Sequence, residues 1–312
     1  MTLPRHPVTL FALVALVGLG AAACGGSGYG ADTGPGDCFR SGTAAAFGWG
    51  TRVACGEPHS VEVFAVRDMS AELGRYPRAA LEQPGSPARR AYLALVRGFC
   101  EPAWSGYTGF AAYAASVAPN VRPGAVLPAL YGDMALEAAP ADDWDEGTHT
   151  VVCYQVFGHP EAQGAQAITV DRAVLGTMRA VPASVPTQVR DCARSPVADE
   201  AERRVACTEP HDREYLGHLD VAAFVGLVPG LDQRFLRRFD SVTAPARDWA
   251  VLDALCGRLF GRVAGAGGPG VTLLAQVYSR DRSWGWADDG YYHADCFARS
   301  DRQLTHSVVG TA

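Results

Sequence analysis

Two histidines, each followed three positions later by a glutamate, are the residues here with the type and spacing for acid–base chemistry: His59 with Glu62, and His211 with Glu214. A carboxylate that holds an imidazole can make it a general base. Both pairs begin at the end of the same phrase. Residues 52–59 read Arg-Val-Ala-Cys-Gly-Glu-Pro-His and residues 204–211 read Arg-Val-Ala-Cys-Thr-Glu-Pro-His, identical at seven of eight positions. Such a match in a chain of 312 residues points to an internal duplication. In an extended chain, residues three apart face opposite ways. Chemistry would therefore need a turn at Pro58-His59 and at Pro210-His211. The plainer reading is a His–Glu hydrogen bond that fixes such a turn beside a disulfide.

A hydrolase built on these pairs also needs a nucleophile or a metal. The chain holds no Gly-x-Ser-x-Gly, no His-Glu-x-x-His and no P-loop. Gly265 to Gly270 spells Gly-x-Gly-x-x-Gly, but it follows a helical pattern and leads into a strand, the reverse of the dinucleotide-binding order. Pro269 also removes a backbone donor. It reads as a loop.

The nine cysteines are Cys24, Cys38, Cys55, Cys100, Cys153, Cys192, Cys207, Cys256 and Cys296. Without Cys24, four fall in each copy of the repeat. An even set behind an export signal reads as a disulfide framework. If each repeat folds alone, both share one pattern, and first-with-second and third-with-fourth is favoured: Cys38–Cys55, Cys100–Cys153, Cys192–Cys207 and Cys256–Cys296. The alternative is zinc held by Cys55 and His59 or by Cys207 and His211. No Cys-x-x-Cys accompanies either, so no metal and no cofactor is expected.

The elements that would position these residues recur in both copies. Asp37-Cys38 and Asp191-Cys192 mark matching starts. Val61 to Val66 has strand periodicity with both faces partly apolar, and Glu214 to His218 is a weaker strand. Pro58 and Pro210 stand at the strand entries. Ser86-Pro87 predicts a capped helix start, with Tyr92, Leu95, Val96, Phe99 and Cys100 on one face. Pro245 opens the second helix, whose stripe is Trp249, Leu252, Leu255, Cys256, Leu259 and Phe260. Apolar runs at Ala125–Tyr131 and Val271–Tyr278 read as matching strands, the first demoted to an edge or a bulge by Pro128. Each copy closes on a tryptophan, a glycine and its last cysteine: Trp144, Gly147 and Cys153, then Trp286, Gly290 and Cys296. The tryptophans read as lids on the core. Between the copies, Ala167 to Val174 reads as a possible strand in an otherwise linker-like stretch.

The N-terminus reads as an export signal. Arg5 and His6 precede the apolar run Val8–Ala23, whose 16 residues fall short of a membrane span, which takes about 20. The run ends Leu19-Gly20-Ala21-Ala22-Ala23-Cys24, which resembles the lipobox of bacterial lipoproteins, with Ala21 where leucine is usual. That resemblance implies cleavage before Cys24 and a lipid on its sulfur; the alternative is ordinary secretion. Gly25 to Gly36 is a glycine-rich tether. Lysine is absent and all 27 basic residues are arginine. The net charge of −6 and the lack of a basic stripe argue against a nucleic-acid partner, and none is expected.

Together the spaced residues resemble the septum formation domain of exported and membrane-anchored actinobacterial proteins. Copy one carries Asp37-Cys38-Phe39, Val53, Cys55, Pro58-His59, Glu62-Val63-Phe64, Cys100, Pro140, Trp144, Gly147 and Cys153. Copy two keeps Asp191-Cys192, Val205, Cys207, Pro210-His211, Glu214, Cys256, Trp286, Gly290 and Cys296. It has Ala193 in place of Phe39 and Arg282 in place of Pro140. The resemblance implies a link to the division septum.

The expected fold is α+β: a tandem duplication of a small disulfide-stapled module, each an antiparallel sheet with one packed helix. The expected organisation is signal peptide 1–23, lipid-anchored tether 24–36, septum-formation-like repeat one 37–158, linker 159–190, septum-formation-like repeat two 191–300 and a frayed tail 301–312. The expected function is a non-enzymatic binding module on the outer face of the cytoplasmic membrane. Cys24 would tether it there, and its partner would be an envelope or division protein or a wall polymer. The alternative is an extracytoplasmic hydrolase using the His–Glu pair.

Overall fold

Short strands, the central pair of repeat one rich in β-branched and aromatic residues, build the same sheet twice. The computed structural model describes residues 33–40, 50–129, 133–157, 159–160, 168–169, 177–179, 191–195, 203–241, 243–262, 264, 270–277 and 292–309. The export signal, Cys24, the tether up to residue 32, Arg282, Trp286, Gly290 and residues 265–269 lie outside them, as does most of 167–174. Repeat one contributes β1 (Cys38–Arg40), β2 (Thr51–Val53) and β3 (Val61–Asp68). It continues with β4 (Val126–Pro128), β5 (Asp133–Ala138) and β6 (Thr150–Val156). A two-stranded ribbon follows, β7 (His159–Pro160) with β8 (Ile168–Thr169). Repeat two contributes β9 (Cys192–Arg194), β10 (Arg203–Val205), β11 (His211–Asp220), β12 (Val271–Gln276) and β13 (His293–Leu304).

The first sheet has the order β2-β1-β3-β6-β5 and the second β10-β9-β11-β13-β12, all antiparallel. Strand for strand these are the same topology. Even the irregularity is shared. β3 shifts register against β6 between Val63 and Ala65, and β11 shifts against β13 between Tyr215 and Gly217. The bulge sets Ala65 opposite Cys153 and Gly217 opposite Cys296, so each fourth cysteine has a small neighbour.

The helix bearing the third cysteine lies on that face. In repeat two it is α7 (Ala246–Phe260), preceded by α6 (Gln233–Arg238). Leu252, Leu255, Cys256, Leu259 and Phe260 are its buried stripe, as the periodicity predicts. Burying one such large apolar side chain contributes roughly 1.5–3 kcal/mol. In repeat one the corresponding helix is interrupted. α2 (Pro87–Leu95) starts with Arg89 N donating to Ser86 Oγ at 2.9 Å, the expected cap. A wider π turn then spans Val96–Cys100 before α3 (Glu101–Tyr107). Pro102 stands at the second position of α3, where its ring crowds the carbonyl four residues back, and a widened turn relieves that crowding. Shorter helices complete this half: α1 (Ser70–Leu73), α4 (Phe110–Val117) and α5 (Ala141–Asp145). The class is α+β, with more helices than the pair that carries the cysteines.

All four expected disulfides are present: Cys38–Cys55, Cys100–Cys153, Cys192–Cys207 and Cys256–Cys296. The first of each pair ties the opening strand to the repeated phrase; the second ties helix to sheet. Trp144 is a core lid, with its Nε1 donating to the Tyr76 carbonyl at 2.9 Å, and Gly147 behind it has φ +100°, a conformation that favours glycine.

Two expectations are corrected, the match between two apolar runs and the frayed tail. Ala125–Tyr131 and Val271–Tyr278 are not counterparts. The counterpart of β12 is β5, since Leu136 opposes Cys153 as Ala275 opposes Cys296. Val126–Pro128 is a strand, but it joins the other repeat's sheet, pairing with β11 at Leu219, His218 and Gly217. Val126 packs into the repeat-two core and Leu127 into that of repeat one. At this crossing Gly217 is a requirement of space: a Cβ there would lie 2.2 Å from Phe260 Cζ and 2.5 Å from the Leu127 carbonyl oxygen. Arg122 reinforces the join, donating to Glu101 at 3.1 Å and to Asp220 at 2.8 Å. Nor is the tail frayed at 304–308, where Leu304, Ser307 and Val308 are buried.

Candidate functional site

The repeated phrase folds into a turn, and most of its residues have a structural partner. Glu57 N donates to the Ala54 carbonyl at 2.8 Å, and Glu209 N to that of Ala206 at 2.8 Å. Arg40, two residues after the first cysteine, donates through Nε to the Pro58 carbonyl at 3.2 Å. It also pairs with Glu57 at 3.3 Å. Arg194 does the same in repeat two, reaching the Pro210 carbonyl at 2.5 Å and lying 4.0 Å from Glu209. The turn then folds the histidine inward. His59 Nδ1 meets the Glu57 carbonyl at 2.9 Å and His211 Nδ1 meets the Glu209 carbonyl at 2.8 Å. A carbonyl only accepts, so in both rings Nδ1 carries a proton.

The turn also brings His59 toward Glu62, with Nε2 3.8 Å from Oε2. That is ion-pair range and too long for a hydrogen bond. His59, Glu62, His211 and Glu214 are all fully buried (0% exposed), so neither pair faces a cleft in which a substrate could meet it. His59 also packs edge-on against Phe157, with ring centroids 5.8 Å apart.

The glutamates are the centres of these sites, and their donors arrive from far along the chain. Glu62 Oε1 accepts from Tyr107 Oη at 2.6 Å and from Thr177 Oγ1, while Met178 N donates to both carboxylate oxygens at 3.0 Å. Arg179 N closes the loop onto Thr177 Oγ1 at 3.1 Å. In repeat two, Ser307 Oγ donates to Glu214 Oε1 at 2.5 Å, Val308 N to Oε2 at 2.6 Å, and Val309 N to Ser307 Oγ at 3.0 Å. The two clasps are the same device, a hydroxyl residue followed by a backbone donor. A buried carboxylate without such partners would be very costly. Burial pushes the Glu62 carboxyl up, but the neighbouring His59 ring and the donors Thr177, Tyr107 and Met178 together outweigh it and hold the group below its ordinary 4.5. Burial, followed by the Glu62 bond, pushes the Tyr107 hydroxyl above its ordinary range, so it stays a neutral donor.

Thr177–Arg179, expected in the linker, and Ser307–Val309, expected in the tail, are therefore bonded to their repeats. Nothing in sequence marks them: a hydroxyl and an apolar residue form too short a phrase, and they lie 24 and 11 residues beyond their last cysteines. Arg40 and Arg194 did carry a signal, since each stands two residues after the first cysteine of its repeat.

Two groups of potential metal donors overlap this frame: Cys38, His59 and Glu62, and Cys192, Cys207 and Glu214. Their cysteines are spent in disulfides, as are Cys55 and Cys207 of the zinc alternative, so none offers a thiolate. No family model, curated protein or solved structure gives a significant match to this chain. The geometry alone thus carries the reading of the site. Among the described residues, no helix is long and apolar enough to cross a membrane.

Proposed function

We propose that the protein is a non-enzymatic binding module of the cell envelope, tethered by lipid at Cys24 to the outer face of the cytoplasmic membrane. The observation that carries this reading is the complete enclosure of both His–Glu pairs, whose polar atoms hold turns and chain ends together. It weighs against the alternative hydrolase, because a general base must reach the proton it removes. The four disulfides fit an exported protein. The lipobox-like Ala21-Ala22-Ala23-Cys24 and the glycine-rich stretch after it supply the tether. Two copies of one frame give two surfaces, and avidity rises if both engage one partner. The resemblance to the septum formation domain directs the search to division proteins or wall polymer.

Metabolic labelling with an alkyne-bearing fatty acid, comparing the natural chain with Cys24→Ala, tests the tether. The expected result is label and membrane fractionation only with Cys24. Proximity labelling from the anchored protein tests the partner. Enrichment of septal proteins supports the reading, whereas labelling spread evenly over the envelope removes the septal link. Turnover of a wall substrate that disappears in a folded His59→Ala/His211→Ala variant would restore the hydrolase.

A further inference from the structure

Away from the enclosed glutamates, repeat two carries a second polar cluster that its twin lacks. In β11 and β13, His218 lies directly opposite Asp295, and His293 precedes Asp295 by two residues on the same strand. Opposed and alternate residues share a face of a sheet. Cys296 points to the α7 side, so His218, His293 and Asp295 stand together on the other face. His218 Nδ1 and His293 Nε2 each lie 2.6 Å from the same oxygen, Asp295 Oδ1. The three donor atoms lie within 4.8 Å of one another, and the rings are 5.3 Å apart at a 37° tilt.

The burial is graded. The Asp295 side chain is 3% exposed, that of His293 17% and that of His218 30%. A buried carboxylate thus forms the floor and two imidazoles form a rim that solvent reaches. The corresponding register positions of repeat one are Val66, Val152 and Thr150. The shared fold therefore does not require the cluster, since the same bulged strand pair closes with two valines there.

We propose that His218, His293 and Asp295 form a binding site for a borderline divalent cation of the zinc type. Two imidazole nitrogens and one carboxylate oxygen suit zinc, cobalt, nickel or copper better than the hard ions calcium and magnesium. Three protein ligands leave a coordination position open to water or to a donor from a partner. Binding needs both ring nitrogens as lone pairs. Each proton now shared with Asp295 Oδ1 passes to the ring's other nitrogen or to solvent, and the cation takes its place. Its positive charge then lies against the buried carboxylate of Asp295.

The test is zinc binding by the detergent-solubilised full chain, stripped with chelator and titrated with zinc chloride by calorimetry and equilibrium dialysis. One equivalent at micromolar affinity or tighter is expected. Asp295→Asn and His218→Val should each weaken it at least tenfold; the latter installs the residue that repeat one carries at this position. Cobalt titration should give visible d–d bands that both variants lose. Near-ultraviolet circular dichroism and a non-reducing disulfide map identify folded variants, and only those are compared. Absence of zinc binding by the natural chain overturns the proposal, as does equal binding by folded His218→Val and Asp295→Asn.

Discussion

The backbone N–H of Met178 donates to the carboxylate of Glu62, 116 residues earlier in the chain. The end of repeat one is thereby fastened to its beginning, and Val308 N does the same for Glu214 across 94 residues. A charged acceptor with several donors is the stronger kind of hydrogen bond.

That arrangement sets an acid limit on stability. The folded Glu62 carboxyl titrates below its ordinary 4.5, so its contribution is complete above about pH 4.5 and is lost as pH falls through the lower folded value. Urea midpoints from pH 7 to pH 3 should fall over that interval. Glu62→Gln should cost about 2 kcal/mol at pH 7 and flatten the acid limb. An unchanged acid limb in that variant would mean that other carboxylates set it.

The histidines should behave as frame residues. Each is fully buried and donates to the carbonyl two residues before it. His59→Ala and His211→Ala each open a cavity and leave the Glu57 or Glu209 carbonyl without its donor, at about 2–4 kcal/mol. Thermal unfolding of the two single variants should show comparable losses, because the two turns are superimposable in their bonding.

The disulfides should differ in worth by loop length. Cys38–Cys55 closes a separation of 17 residues and Cys100–Cys153 one of 53. In the chain-entropy model, removing them costs about 3 and about 4 kcal/mol respectively. Paired serine substitutions followed by urea unfolding give that order directly. Mass mapping of the non-reduced protein should return the four pairs, and a Cys38–Cys100 peptide would contradict them.

The strand shared between the repeats offers a sharper disruption. Gly217→Ala drives a Cβ into Phe260 and the Leu127 carbonyl. Overpacking of this kind costs about 1–3 kcal/mol and more where backbone must move. Arg122→Ala leaves Glu101 and Asp220 facing one another without their shared cation, at about 2 kcal/mol after allowance for the half-exposed arginine. Both variants should lower the unfolding midpoint of the two repeats together, which fluorescence and disulfide-resolved hydrogen exchange can check.

Duplication is what made much of the fold legible. It required both repeats to share one of three cysteine pairings, and helical spacing put Cys256 on the same buried stripe as Leu252 and Leu259. The turn at Pro58-His59 was legible as a possibility, and its role as frame followed from burial. Contacts with no period were not legible. Val126–Pro128 has a strand-like sequence, but nothing local says that its partner is Gly217–Leu219 rather than a neighbour in its own repeat. The clasps at Thr177 and Ser307 depend on where the chain returns in space. His218 and Asp295 meet only through register, and a one-residue slip would separate them.

The strand Val126–Pro128 also bears on how the protein would survive damage. Its pairing with β11 does not depend on the covalent path through residues 180–190, which lies between Arg179 of one repeat and Asp191 of the other. A single proteolytic nick there would sever the backbone and leave the two fragments co-eluting on a sizing column as one particle. Gel electrophoresis in detergent would then show two bands, because no disulfide crosses the cut.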